Sequence, residues 1–114
     1  MSEPIASWTP VERARRFWTA HGRTADHLIV LHAFAFNPTV AWSPDGLCDW
    51  YGVRVDRARA IVAELAASRI VRAAEGGRGH EWNPAHDFAL PADGLALTLV
   101  RERWVGAVLN GDDE

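Results

Sequence analysis

The chain has one cysteine, Cys48, and all twelve of its basic residues are arginine. A single thiol excludes an intrachain disulfide and any zinc site built from several thiolates. Long apolar runs are also missing. The stretches around Leu28 to Phe36 and Leu95 to Val100 fall well short of the ~20 residues needed to cross a bilayer, so no membrane partner is expected. Glu3 and Pro4 stand where a secretory signal would carry a basic start and an apolar block, and a cytoplasmic location is the expectation. Catalytic signatures are equally scarce. The Gly76, Gly77, Arg78, Gly79 turn lacks the lysine and following helix of a phosphate loop. Adjacent His86 and Asp87 orient nothing. No enzyme activity and no cofactor are expected. The formal net charge of −3 means that any nucleic-acid contact must come from local positive charge, because phosphate neutralisation supplies most non-specific affinity.

What is present is enough to form a core. The 114 residues are 48% apolar and 24% charged, the balance of one globular domain. Thr9 and Pro10 cap a helix over residues 10–21, in which Val11, Ala14, Phe17, Trp18 and His21 share a side. Gly22 ends it. Thr24 or Asp26 caps the next helix, whose residues Leu28, Ile29, Leu31, Ala33, Phe34 and Phe36 surround its circumference and mark it as buried. Thr39 to Trp42 is β-prone or loop. Asp93 caps a final helix over residues 93–110. Leu97, Val100, Trp104 and Val108 form one apolar face of it, and Leu95, Leu99, Gly106 and Leu109 most of another. Two apolar faces need two partners. The chain's own core supplies one and a symmetry mate the other, with Phe17 and Trp18 joining the interface. The expected dimerisation residues are Phe17, Trp18, Leu95, Leu99, Trp104 and Val108.

Ser43 to Asn83 is the most structured stretch. Ser43 as N-cap, Pro44 at the first helical position and Asp45 against the dipole start a short helix with Leu47, Trp50 and Tyr51 as core contacts. Gly52 relieves a positive φ and Val53 plugs the gap to a helix over about 56–67, with Asp56 as its expected N-cap. That helix has one apolar stripe, Ala58, Ile61, Val62 and Leu65. Ile70 to Arg72 and His80 to Trp82 read as strands around a glycine-rich turn. The order helix, turn, helix, hairpin resembles the winged helix-turn-helix module of bacterial transcriptional regulators of the MarR type. The resemblance implies a fold that is mainly α with a small β-hairpin wing (α+β), a winged helix-turn-helix core over 26–83 with additional N- and C-terminal helices, in a single domain, 1–114.

It also implies a function: a homodimeric, DNA-binding transcriptional regulator. Its recognition helix would enter the major groove and its wing, 75–80, would lie on the minor groove or backbone of double-stranded DNA. Opposite the buried stripe lie Asp56, Ala60, Ala63 and Glu64, with Arg57 and Arg59 on the flanks and Arg54 just before. Arginines there reach guanine edges or phosphates. Arg78 at the wing tip, with Arg72 at its base and His80 beside it, matches minor-groove insertion. Arg54, Arg57, Arg59, Arg72 and Arg78 are the expected DNA-binding residues. Two alternatives stay open. The small and acidic centre of the reading face fits a winged helix that binds protein instead of DNA. Trp18, Phe34, Trp42 and Trp104 are either core or the lining of a site for a small aromatic effector. The five histidines have no i, i+4 pair, and no metal site is expected.

Overall fold

The computed structural model describes residues 9–85 and 92–101; the side chains of residues 10, 11, 99, 100 and 101 lie outside that description. Local capping chemistry explains the starts of the first three helices. Thr9 Oγ1 accepts from the Glu12 amide (3.2 Å) and Glu12 Oε2 accepts from the Thr9 amide (3.0 Å). This reciprocal box satisfies two otherwise unpaired donors and opens α1 (Pro10–His21). Thr24, and not Asp26, caps α2 (Ala25–Phe36). Ser43 Oγ accepts from the Gly46 amide at 3.0 Å and starts α3 (Pro44–Tyr51). Gly52 follows with φ +75°, its amide bonded to the Cys48 carbonyl at 2.9 Å. The turn directs Val53, only 2% exposed, between α3 and α4 (Val55–Ala67). Arg54 is the N-cap of α4 and provides no side-chain cap. Asp56 therefore lies inside the first turn, a correction to its expected capping role.

Strands β1 (Val71–Ala73) and β2 (His80–Trp82) form an antiparallel hairpin in the register Val71↔Trp82, Arg72↔Glu81, Ala73↔His80. A 3-10 turn over Glu75–Gly77 leads the chain between them. Trp42 adds a single bridge to His80, through bonds of 2.7 and 3.0 Å, so the β-prone 39–42 stretch gives one bridge and no strand. Helix α5 (Ala92–Arg101) starts one residue before Asp93, whose carboxylate accepts from the Gly94 amide. Among the described residues the fold is thus mainly helical with a small two-stranded hairpin. None of the described helices is long and apolar enough to cross a membrane.

The core runs from Ala14 to Leu95 and is centred on α2, where Val30, Leu31, Ala33 and Phe34 are fully buried. Helix α4 contributes Ala58, Ile61, Val62 and Leu65, the stripe read from its spacing. Phe17, Trp18 and Leu95 are at most 1% exposed. Phe17 and Trp18 meet edge to face at 5.4 Å, and Trp18 Nε1 donates to the Leu95 carbonyl at 3.1 Å. These three are buried within the chain, where α5 packs on both α2 and α1, a correction to their expected place in a dimer interface. Leu99 (its side chain), Trp104 and Val108, the rest of the expected interface, lie outside the described residues. Trp50, expected in the core, is 78% exposed.

Two glycines test the turn geometry. A Cβ at Gly52 would meet nothing within 4 Å, so Gly52→Ala is expected to cost only the left-handed backbone term, about 1–2 kcal/mol. At Gly79, with φ +114°, a Cβ would lie 2.3 Å from the Trp42 carbonyl oxygen. Gly79→Ala should therefore also break the Trp42–His80 bridge and cost about 3 kcal/mol or more. Urea denaturation of both variants measures the difference.

Candidate nucleic-acid interface

The buried stripe of α4 turns Asp56, Ala60 and Ala63 outward, all three exposed, with Arg57 and Arg59 at their sides. The five expected DNA-binding arginines are all exposed, yet their charges are not equally free. Arg54 Nε stands 3.5 Å from Asp56 Oδ1, with both side chains more than two-thirds exposed, a loose pair worth little in water. Arg57 Nε donates to Asp26 Oδ2 at 2.5 Å. Arg72 reaches Glu81 Oε2, its cross-strand neighbour, at 3.1 and 3.4 Å. Arg78 Nε donates to the Glu75 carbonyl at 3.1 Å, which closes the wing turn and leaves the remaining guanidinium N–H groups to solvent. The side chain of Arg59 has neither hydrogen bond nor ion pair among the described residues, and the same holds for that of Arg69. The structure therefore places Arg54, Arg57 and Arg59 on or beside α4 and Arg72 and Arg78 on the hairpin, with carboxylates at three of them.

A second group on the same flank escaped sequence reasoning. Glu64 receives Arg23 and stands 3.1 Å from His27 Nε2. Thr24 Oγ1 lies 2.7 Å from His27 Nδ1 and accepts from the His27 amide at 3.2 Å. A carboxylate only accepts, so Nε2 carries the proton toward Glu64, and in the neutral ring Nδ1 accepts from the Thr24 hydroxyl. His27 is 8% exposed. The chain Thr24, His27, Glu64, Arg23 ties the start of α2 to the side of α4. Arg57 with Asp26 forms a second tie, seven residues, or about 10.5 Å, away along α4. The Thr24-x-x-His27 spacing signals helix capping; nothing in the sequence couples residues 23 and 64.

The aromatic residues fall into two sets. Trp18 and Phe34 are packed in the core. Trp42 meets Tyr51 edge to face at 5.5 Å, and Tyr51 meets His32, which stacks on Phe36 at 4.0 Å. Trp42 Nε1 is buried without a hydrogen-bond partner among the described residues. Trp104 lies outside the described residues. Among the described residues no three His, Cys, Asp or Glu side chains are grouped as a metal ion requires. Comparison with protein-family models, with curated proteins and with solved structures gives no match to this chain.

The hydrogen bond from His27, with Arg23 beside it, holds the Glu64 carboxyl below its ordinary value of 4.5. A carboxyl depressed in the folded state adds stability that is complete above its ordinary value and is lost as pH falls through the lowered one. Burial lowers His32 from 6.5, so its contribution likewise declines as pH drops below that value. Thermal melts from pH 7 to pH 3 should show Glu64→Gln less stable than the parent at neutral pH. The gap should close at the acid end.

Proposed function

We propose that this chain is a winged helix-turn-helix protein that binds duplex DNA and regulates transcription as a homodimer. The observation that carries the reading is the left-handed Gly52 turn with Val53 buried in the angle between α3 and α4. It fixes α4 against the core by one stripe and leaves its opposite side uncovered, beside a hairpin with an exposed arginine at its tip. In that reading α4 enters the major groove, where Arg57 and Arg59 reach base edges or phosphates, and Arg78 lies on the minor groove or backbone. Arg54 and Arg72 supply phosphate contacts. The small side chains of Ala60 and Ala63 permit close approach of the helix to the groove floor.

A dimer sets two such helices against successive major-groove faces, one turn or ~34 Å apart. With Phe17, Trp18 and Leu95 used by the core, the support for dimerisation is Leu97 of α5, 56% exposed. The second reading, a winged helix that binds protein, is favoured by Trp50. Its indole stands exposed on α3, the helix that also exposes Asp45 and Asp49, whose side chains pair with nothing among the described residues. Such a surface fits a cationic peptide better than a phosphate backbone.

Fluorescence anisotropy with a labelled duplex separates the two. DNA binding is expected to weaken steeply between about 50 and 200 mM salt, with a slope near 0.9 for each phosphate contact. Arg78→Ala should lower the slope by about one unit, and no binding at the lowest salt would eliminate the DNA reading. Light scattering tests the dimer: Leu97→Glu should shift the mass from dimer to monomer without loss of helicity, and a parent protein of monomer mass at tens of micromolar would remove the claim.

A further inference from the structure

We propose that Asp26 and Glu64 are stand-ins for DNA phosphates, holding Arg57 and Arg23 in the free protein and giving them up on binding, so that Arg23 is a further DNA-contact residue; this inference rests on the DNA-binding reading. The two pairs lie on one flank of α4, the helix read as entering the groove, and both join it to the first turn of α2 and the residue two before it. Neither pair is sealed from water. The side chains are 47% and 32% exposed for Arg57 and Asp26, and 59% and 46% for Arg23 and Glu64. An incoming phosphate therefore reaches both guanidinium groups without unfolding anything.

Energy favours exchange. An exposed carboxylate–arginine pair is worth roughly 0–1 kcal/mol, and a phosphate that replaces the carboxylate offers the same acceptor geometry and releases counterions from the duplex. The freed carboxylates opposes this, because each then faces a polyanion. The pairs thus make charge on this flank conditional: a weak, non-specific encounter with DNA leaves them closed, and a fully docked helix opens them. Arg59 and Arg78, which pair with no carboxylate among the described residues, are the contacts that any duplex can make. His27 supports the arrangement from beneath, since its Nε2 holds Glu64 in place while the carboxylate is bound to Arg23.

The test uses the full chain and a fluorescein-labelled duplex of mixed sequence. Asp26→Asn and Glu64→Gln each remove one charge and release one arginine, and each should tighten binding about fivefold, the upper range for an exposed ion pair. Asp49→Asn removes the same charge from α3 without releasing an arginine, and should change affinity by less than twofold. Arg23→Ala should weaken binding more in the Glu64→Gln background than in the parent. Circular dichroism melts confirm that each variant is folded, and Asp26→Asn leaves the His27 contact intact if Glu64→Gln does not fold. If the parent binds DNA and the paired-site variants gain no more than Asp49→Asn, the inference is wrong and the DNA reading stands. If neither the parent nor any variant binds at low salt, both are wrong.

Discussion

The enclosure of α2 is the constraint on which the other elements depend. A helix that is apolar around its circumference needs cover on nearly every side: Val30, Leu31, Ala33 and Phe34 are sealed, and Leu28, Ile29 and Phe36 are half-buried. Helices α1 and α5 pack on it together with α3 and α4. Apart from half-buried His32, its polar chemistry lies at its ends. Arg23, Thr24, Asp26 and His27 therefore gather at its start, where α4 passes, and the two helices are joined there by charge as well as by packing. Asn37 closes the other end by donating to the Ala33 carbonyl at 3.0 Å and lying 3.4 Å from the Tyr51 hydroxyl.

The features that could be read from the sequence are those decided within a few residues. Thr9, Ser43 and Gly52 act on amides and carbonyls three or four positions away, and each does what its spacing implies. The stripe on α4 was legible because thirteen residues give the helical period enough turns to separate a buried side from an exposed one. Trp50 shows the limit. In an eight-residue helix, Leu47 and Trp50 share the i, i+3 spacing of a core face, yet only Leu47 is buried while Trp50 stands largely in solvent, and the spacing carries no knowledge of how wide the buried contact is. Phe17, Trp18 and Leu95 show a different one. Periodicity identifies an apolar face and leaves open whether the chain itself or another copy covers it; here Trp18 reaches across 77 positions to the Leu95 carbonyl.

The charged residues around α4 were the least legible part of the site. Arg57, Arg59, Asp56 and Glu64 were assigned to the exposed side correctly, but an arginine counted from the sequence is not an available cation. Asp26 is 31 positions from Arg57, and Arg23 is 41 from Glu64. These partners meet because α2 crosses the flank of α4, which follows from the burial of both helices and from no local pattern. Arg72 and Glu81 are the exception, since antiparallel register places them opposite one another in any hairpin that pairs Val71 with Trp82.

The exclusive use of arginine bears on how such a surface behaves. A lysine ammonium is a compact, strongly hydrated point charge, and its partners differ little in geometry; a guanidinium is a planar fork whose parallel N–H donors match a carboxylate and a phosphate alike. An arginine held by Asp26 is therefore already oriented for a phosphate, and exchanging one acceptor for the other loses little further side-chain entropy. In a chain with a formal charge of −3, acidic residues outnumber the arginines, so most cations will have a carboxylate within reach. The consequence is a surface whose long-range attraction for a polyanion is weak and whose short-range contacts are already shaped for it. In the proposed DNA-binding reading, phosphate contacts would supply the salt-dependent affinity at short range, and the fit of α4 to the groove, through shape and base contacts, would set the preference for one duplex over another.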